Sequence, residues 1–202
     1  MEYPKYSREI VSLSAYGLEL KHIKKIAIDK FFLPDGKNGQ WESVYSNALP
    51  TILIVPITKE GKIVLIKLFR FPVNDWIIEL PGGGFSKKDS LFNHAAEREL
   101  RKKTGYEAES IERIPGNLPP WSCNWLYAGQ SNASVDFFIG FDCEKAREPE
   151  LDPVEKYVGL EVVEKWPLEI ISEISDPEGE ITYDLSISHA LIMLSGKGII
   201  NI

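Results

Sequence analysis

Short runs in which apolar and polar residues alternate fill residues 1–48, and apolar runs follow at 51–56 and 63–69. A period of two places apolar side chains on one face of a strand, so these runs predict β-strands. Turns are predicted at Asp35-Gly36, at Asn38-Gly39 and at Lys59-Glu60-Gly61, where the residue types favour chain reversal. The predicted strands are 9–13, 17–20, 23–32, 40–45, 51–56, 63–69 and 76–80, then 111–114, 135–142 and 157–163.

The segment 91–103 is the clearest predicted helix, because it contains no glycine or proline and repeats apolar residues with helical spacing. Asp89 or Ser90 can cap its start, and Gly105 is well placed to end it. Two further helices are predicted, at 167–174 and at 184–194, the second ended by Gly196.

Strands that surround a central helix and precede a terminal one predict an α/β or α+β sandwich. The chain has 202 residues, of which 44% are apolar, and this is enough for one domain with a sizeable core. The strands of residues 1–48 are predicted to be an extension that precedes the main domain of residues 49–202. Residues 115–134 form a long loop rich in aromatic residues, and loops of this length are often functional.

The formal net charge of −7 argues against a nucleic-acid surface, which needs lysine and arginine to neutralise phosphates. The chain has only two cysteines, Cys123 and Cys143, which favours a reducing compartment over a disulfide framework. No window approaches 18 continuous apolar residues, and the first residues are polar. We therefore expect no membrane association and a cytoplasmic location.

Residues 82–106 read GGGFSKKDSLFNHAAERELRKKTGY. The glycine-rich loop, the helix, Arg98-Glu99-Leu100 and Gly105-Tyr106 resemble the Nudix box, G-x5-E-x7-R-E-U-x-E-E-x-G-U, which fits residues 84–106 without a gap. The resemblance implies the Nudix α/β/α sandwich with a mixed β-sheet. The first glutamate of the pattern falls on Ser90, and the glutamate pair falls on Lys102 and Lys103. Glu99 is therefore the one remaining box carboxylate and the candidate catalytic residue.

Hydrolysis of a pyrophosphate requires its negative charge to be neutralised, which divalent ions do in this family. Carboxylates at positions 99, 102 and 103 would share one helix face, but protonated lysine cannot bind Mg²⁺. Lys102 and Lys103 either hold a phosphate directly or are surface lysines that complement the helix dipole. In the second interpretation, Ser90 serves as an N-cap. Glu99 and Lys103 are also spaced to form an ion pair.

The resemblance extends to the segments LFRFP and WIIELPGGG, which are similar to those of the ADP-ribose pyrophosphatase branch of the Nudix hydrolases. Arg70 and Glu79 match the positions that would hold the substrate's sugar or phosphate. Arg70 has the bidentate fork that suits a pyrophosphate, and a structural salt bridge to Glu79 is the alternative. Trp76 is predicted to lie in the core, with stacking on a base as the alternative.

The same resemblance implies three metal ligands, which are the Gly83 main-chain carbonyl, Glu99 and Glu155. Glu155 lies in LDPVEKYVGLEVVE and could equally be a solvated loop carboxylate. Arg98 would neutralise phosphate or orient neighbouring carboxylates. Residues 128–133 read AGQSNA and depart from the Pro-Gly-x-Ser-x-Glu segment of the branch. The implied cofactor is Mg²⁺ or Mn²⁺ if the protein is active, and none otherwise.

Two functions follow from the resemblance. The first is a hydrolase of a small molecule linked to a nucleoside diphosphate, with a weakened or altered metal site. The second is an inactive module that binds a nucleotide or another protein. A structural protein that contacts a partner through the aromatic loop is a third alternative. The resemblance also implies a homodimer, with the N-terminal strands contributing to its interface.

Overall fold

The structure is a computed structural model, and it describes residues 6–12, 25–45, 50–86, 89–114, 124–125 and 128–202. The chain divides into two compact units, one of residues 1–51 and 118–135 and one of residues 52–117 and 136–202. The predicted strand 17–20 and most of the loop 115–134 lie outside the described residues.

The first unit contains an antiparallel sheet in the order β1-β2-β3. Its strands are β1 (Tyr6–Ser12), β2 (Lys25–Phe32) and β3 (Asn38–Tyr45). The turn predicted at Asp35-Gly36 is confirmed, because Gly36 has a φ of 81° and donates to the Leu33 carbonyl at 2.9 Å. The turn predicted at Asn38-Gly39 is wrong, since both residues pair with β2 as part of β3. A short strand, β10 (Asn124–Trp125), pairs with Ser134 and Val135.

A mixed β-sheet dominates the second unit. Its strands are β4 (Thr51–Thr58), β5 (Ile63–Arg70), β6 (Asp75–Glu79), β7 (Gly82–Gly84), β8 (Tyr106–Glu107), β9 (Ser110–Arg113), β11 (Ser134–Lys145), β12 (Glu161–Lys165) and β13 (Thr182–Tyr183). The main order is β11-β4-β5-β6-β13, with β7 beside β4, β8 and β9 beside β11, and β12 beside β5. The sheet is mixed because β13 runs parallel to β6, whereas β5 is antiparallel to β6 and β12.

Helices cover both faces of this sheet. They are α1 (Phe92–Thr104), α2 (Pro153–Tyr157), α3 (Pro167–Ile174) and α4 (Leu185–Gly196). Neighbouring residues of a strand point to opposite faces. In β11, Phe138 belongs to the core cluster of α1, while the ring of Phe137 lies 5.1 Å from that of His189 in α4. The predicted α/β/α sandwich is therefore confirmed. No helix in the described part of the chain is long and apolar enough to cross a membrane.

The core beneath α1 is formed by residues at alternating strand positions and by the helix face that carries short side chains. It contains Ile52, Ile54, Val64, Ala95, Ala96, Leu100, Tyr106, Phe138 and Cys143. Ala95 and Ala96 let the helix approach the sheet closely because their side chains are short. Cys143 is a free thiol, and burial raises its pKa to about 12.

The strand predicted at 157–163 is partly wrong. Tyr157 ends α2, and β12 begins only at Glu161. Asp152 caps α2 by accepting from the main-chain N–H of Val154 and of Glu155, each at 2.9 Å, and the Glu155 side chain accepts from the Asp152 N–H. This reciprocal capping, with proline at the first helical position, fixes a helical turn where apolar alternation favoured a strand.

Two smaller predictions also differ from the structure. Trp76 was predicted to lie in the core, but its side chain is 44% exposed. It lies in β6 next to the turn that follows β5, and its ring contacts the ring of Phe69. Gly196 belongs to α4 instead of ending it, and the positive φ of 68° falls on Gly198. The helix predicted at 167–174 has the bounds observed for α3.

Candidate active site

The glycine-rich loop brings Gly83 against the carboxylate of Glu99. Gly83 lies in β7, which pairs with β4, and Glu99 is buried in α1 at 5% exposure. A Cβ at Gly83 would lie 2.5–2.7 Å from Cδ and both carboxylate oxygens of Glu99. Real Cβ contacts are essentially never that short, so a side chain at position 83 would require the Glu99 carboxylate to move. The structure thus brings together two of the three predicted metal ligands.

Arg98 connects the loop to the helix. Its Nε donates to Asp89 Oδ1 at 2.9 Å, and its Nη2 donates to Asp89 Oδ2 at 2.8 Å and to the Gly84 carbonyl at 2.9 Å. Its Nη1 forms an ion pair with Glu99. Asp89 also accepts from the Ser86 N–H at 2.7 Å. The guanidinium is therefore occupied by the loop and the buried carboxylates, which is the arrangement expected of a residue that orients carboxylates.

The Arg98–Asp89 pair predicts a specific dependence of stability on pH. Hydrogen bonds from Arg98 hold the pKa of Asp89 below its ordinary value, although burial acts in the opposite direction. A carboxyl group with a lowered folded-state pKa contributes stability above its unfolded pKa of about 4, and that contribution is lost as the pH falls through the folded-state pKa. We expect the melting temperature of Asp89→Asn to fall less between pH 5 and pH 2 than that of the wild type.

The control for this experiment is Glu148→Gln, which removes a carboxylate that is 85% exposed. Melting curves recorded by circular dichroism across the pH range measure the difference. A wild-type pH profile that Asp89→Asn leaves unchanged would contradict the assigned role of Asp89.

Lys102 is held by acidic residues at the start of α2. Its ammonium lies 2.9 Å from Glu155 Oε1 and 3.2 Å from Asp152 Oδ2. The other Glu155 oxygen accepts from the Asp152 N–H at 2.9 Å. Partial burial would lower the pKa of Lys102, but the hydrogen bonds to Glu155 and Asp152 outweigh it and raise the pKa. Both oxygens of the third predicted metal ligand, Glu155, are thus engaged within the protein.

The remaining substituted box positions behave differently from Lys102. Lys103 is half-buried and has no hydrogen-bonded or ion-paired partner among the described residues, so the Glu99–Lys103 pair that the spacing allowed is not formed. Ser90 does not cap α1, whose N-cap is Leu91 without a side-chain hydrogen bond. The Ser90 hydroxyl instead lies 2.8 Å from Nδ1 of His94. Among the described residues, Lys103 is therefore the substituted box position whose charge has no partner.

Arg70 and Glu79 form a bidentate salt bridge between β5 and β6. Arg70 Nε donates to Glu79 Oε2 at 3.0 Å, and Nη2 pairs with the other oxygen. Glu79 is largely buried, whereas the Arg70 side chain is half exposed. The structural salt bridge considered for this pair is present, although about half of the Arg70 side chain stays exposed.

Asp152 is a site residue outside the box that was not predicted from the sequence. Asp152 caps α2 and contacts Lys102. The signal was available in Asp-Pro-Val-Glu, because aspartate, then proline, then glutamate at the third helical position is typical of a capped helix start.

The chain is similar in sequence and in fold to known proteins. The family model named NUDIX domain matches residues 48–174. The chain is 28% identical over 166 residues to the ADP-ribose pyrophosphatase of Bacillus subtilis (strain 168), covering 82% of this chain and 81% of that protein. It is 33% identical to the methanol dehydrogenase activator of Bacillus methanolicus, over 45% of this chain and 47% of that protein. It is 30% identical to the ADP-sugar pyrophosphatase of Mus musculus, over 41% of each.

A solved structure described as an ADP compounds hydrolase has the same fold. Its TM-score with this chain is 0.69 at 15% sequence identity, and the superposition covers 99% of this chain and 98% of that one. At this identity the similarity shows the fold alone. The matches to the methanol dehydrogenase activator and the ADP-sugar pyrophosphatase each span less than half of those proteins.

Proposed function

The chain belongs to the Nudix family, and from this we propose that it hydrolyses small molecules linked to a nucleoside diphosphate, with a weakened metal site. The similarity to proteins named ADP-ribose pyrophosphatase and ADP-sugar pyrophosphatase supports the substrate class. The match of the family model to residues 48–174 carries the hydrolase, and the ion pair of Lys102 with Glu155 carries the weakened metal site. It puts a fixed ammonium at a box position where the family pattern has a carboxylate.

The donors at the site do not fit a tightly held Mg²⁺ or Mn²⁺ ion. Hard ions prefer several carboxylate or carbonyl oxygens. Glu99 is paired with Arg98, and Glu155 is paired with Lys102. Among the residues that the structure describes, no group of three or more histidine, cysteine, aspartate or glutamate residues is arranged to hold a metal. We therefore expect the chain's own cations to provide most of the charge neutralisation.

Lys103 and Arg70 are the cations best placed to neutralise a diphosphate. The ammonium of Lys103 has no partner among the described residues, so binding a phosphate would break no ion pair. The Arg70 side chain is about half exposed, and Glu79 fixes the orientation of its guanidinium. A fixed fork loses little freedom on binding a phosphate oxygen. Lys102, by contrast, is already neutralised, so we assign it a structural role.

A nucleotide-binding module without turnover is the second candidate, and the same ion pair favours it. The Lys102 ammonium links α1 to α2 and leaves Glu155 no free oxygen. A protein with this link would bind a diphosphate through its own cations, without using an ion.

Assays of the wild type and of Glu99→Gln separate these candidates. Release of AMP from ADP-ribose is measured with Mg²⁺ and with Mn²⁺, and thermal shift with ADP-ribose is measured alongside. Turnover that Glu99→Gln abolishes supports the hydrolase. Thermal stabilisation without turnover supports the module. If ADP-ribose, ADP-glucose and ADP produce neither turnover nor stabilisation, both candidates are wrong.

Lys102→Glu is expected to make stability depend on divalent ions. The new carboxylate would face Asp152 and Glu155 and repel both, so the melting temperature should fall without metal. Added Mn²⁺ would bind the cluster and restore stability, by about 2.7 kcal/mol at a hundredfold excess over the Kd. The wild type should show no comparable shift. Differential scanning calorimetry with a Mn²⁺ titration measures both quantities.

Lys197→Glu is the matched control, because it makes the same charge change at the exposed C-cap of α4, where Lys197 has no ion pair among the described residues. Its melting temperature should respond little to Mn²⁺. Equal responses of the two variants would show that the Lys102 contacts do not define the ion-dependent position.

A further inference from the structure

A buried carboxylate in β11 fixes the arginine that ends β9. Asp136 is 2% exposed, and it accepts from Nη2 of Arg113 at 2.9 Å on Oδ1 and at 2.8 Å on Oδ2, with Nε 3.2 Å from Oδ1. Arg113 is opposite Phe138 in the register of β9 and β11, so Asp136 is two residues away on the same face, which is the face covered by α1. These bonds hold the planar guanidinium in one orientation.

The guanidinium lies against the first residue of the box helix. Cζ of Arg113 is 5.8 Å from the ring centroid of Phe92, which is within the range of a cation–π contact. The ring of Phe92 in turn meets that of Phe85, with 4.9 Å between the centroids and 64° between the planes. Both rings are partly buried and pack against the core beneath α1. Asp136, Arg113, Phe92 and Phe85 thus form one row of contacts, which we call the anchoring row.

The anchoring row ends at the glycine-rich loop. Phe85 directly follows Gly84, whose carbonyl accepts from Arg98 at 2.9 Å, and Gly83 lies against the carboxylate of Glu99. The strand β7 pairs with β4 and ends at Gly84. Phe85 is the first side chain after the glycines, so its ring anchors the point at which the loop leaves the sheet.

Net stability alone does not explain an ion pair at this place. Both charges lose water on folding, so apolar residues of similar volume often give the same or greater stability. An apolar side chain at position 113 would also cover the ring of Phe92. What the pair of Arg113 and Asp136 adds is direction, because the carboxylate fixes the orientation of the guanidinium over that ring.

We propose that Arg113 is a positioning residue of the diphosphate site, and that it acts through Phe92 and Phe85 to keep the glycine-rich loop against Glu99. This inference rests on the proposed function, because it assigns a supporting residue to the same site. It requires the affinity for a diphosphate ligand to fall when the orientation of Arg113 is lost, even where the fold keeps its stability.

Isothermal titration calorimetry with ADP-ribose tests the proposal on the double variant Arg113→Met/Asp136→Leu. This variant replaces the ion pair by apolar residues, so its melting temperature should stay close to that of the wild type. Residues that modulate a site without touching its ligand change affinity by about twofold to thirtyfold. We expect the Kd of the double variant to be at least about threefold higher than that of the wild type. If the wild type binds ADP-ribose and the Kd of the folded double variant differs by less than about threefold, the role of Arg113 is wrong while the proposed function stands.

Phe92→Leu tests the same row and leaves the ion pair in place. It removes the ring that links Arg113 to Phe85, so it should weaken ADP-ribose binding as the double variant does. Phe92→Tyr keeps the ring and should bind as the wild type does. If the double variant does not fold, Phe92→Leu decides the question, and a Kd changed by less than about threefold overturns the proposal.

Hydrogen exchange followed by mass spectrometry reports on the loop without a ligand. Residues 82–86 should exchange faster in the double variant than in the wild type, because the ring of Phe85 is no longer held through Phe92. Unchanged exchange of these residues would show that Arg113 does not hold the loop.

Lys165→Met/Glu173→Leu is the matched control, since it makes the corresponding replacement in a partly buried ion pair between β12 and α3. It should change neither the hydrogen exchange of residues 82–86 nor the affinity for ADP-ribose. An equal loss of affinity in this control and in Arg113→Met/Asp136→Leu would mean that the effect is not specific to the anchoring row. If the wild type binds no nucleoside diphosphate, the proposed function and the role of Arg113 both fail.

Discussion

Arg98→Met is expected to lower the melting temperature by about 10 °C. Asp89 and Glu99 are buried, and Arg98 donates to both. Methionine keeps much of the side-chain volume but removes the charge, which leaves two buried carboxylates unpaired. Removing one partner of a buried ion pair costs about 3–5 kcal/mol. Thermal unfolding followed by circular dichroism measures the change.

Arg101→Met is the matched control on the same helix. Arg101 pairs with Glu97 and Glu107, whose side chains are about half exposed, and pairs of that kind contribute about 0–1 kcal/mol. Combining Arg98→Met with Asp89→Asn should recover part of the lost stability, because one of the unpaired charges is then absent. If Arg98→Met and Arg101→Met lower the melting temperature equally, Arg98 does not hold the loop to the helix.

Local signals explain why the box helix could be predicted from the sequence. Its body has helical periodicity with short residues on one face, and Gly105 adopts the left-handed conformation expected of a C-cap. Contacts inside the box also join residues that are near in sequence. Arg98 and Glu99 are adjacent, and Gly84, whose carbonyl accepts from Arg98, lies 14 residues earlier. Close approach of Gly83 to Glu99 follows from a glycine run packed under a helix.

The elements after β11 were harder to predict because two local signals compete there. The sequence YVGLEVV alternates well enough to favour a strand from Tyr157. The capping residues Asp152 and Glu155 instead start a helix, which takes up Tyr157 and delays the strand until Glu161. A short helix with a reciprocal cap prevails because the cap satisfies main-chain N–H groups that the strand would leave unpaired in this loop.

The partners of Lys102 could not be inferred from spacing. Asp152 and Glu155 lie 50 and 53 residues further along the chain, and only the tertiary fold brings them to α1. The structure separates the two box lysines by their contacts. Lys102 is ion-paired with Asp152 and Glu155, whereas Lys103 has no ion pair among the described residues. The homodimer, the cytoplasmic location and the roles of the site residues stay predictions.

Gly105→Ala is expected to destabilise the protein by about 3 kcal/mol, since it combines a left-handed backbone strain of 1–2 kcal/mol with overpacking of 1–3 kcal/mol. Gly105 ends α1 with a φ of 75°. A Cβ there would also overlap the main-chain carbonyl of Arg147. The Gly105 carbonyl accepts from the N–H groups of Ala146 and Arg147 at 3.0 and 3.1 Å, so the backbone cannot move away without losing these bonds.

Gly84→Ala is the control that separates this effect from a general cost of altering box glycines. A Cβ at Gly84 meets no atom of the described residues within 4 Å, and the φ of Gly84 is not positive. Alanine there reduces the freedom of the unfolded chain, so stability should be unchanged or slightly higher. For a domain of this size, the loss in Gly105→Ala corresponds to a melting temperature about 6–12 °C lower. Similar melting temperatures for the two variants would mean that α1 does not end against the segment after β11, and the packing assigned to the box helix would then be wrong.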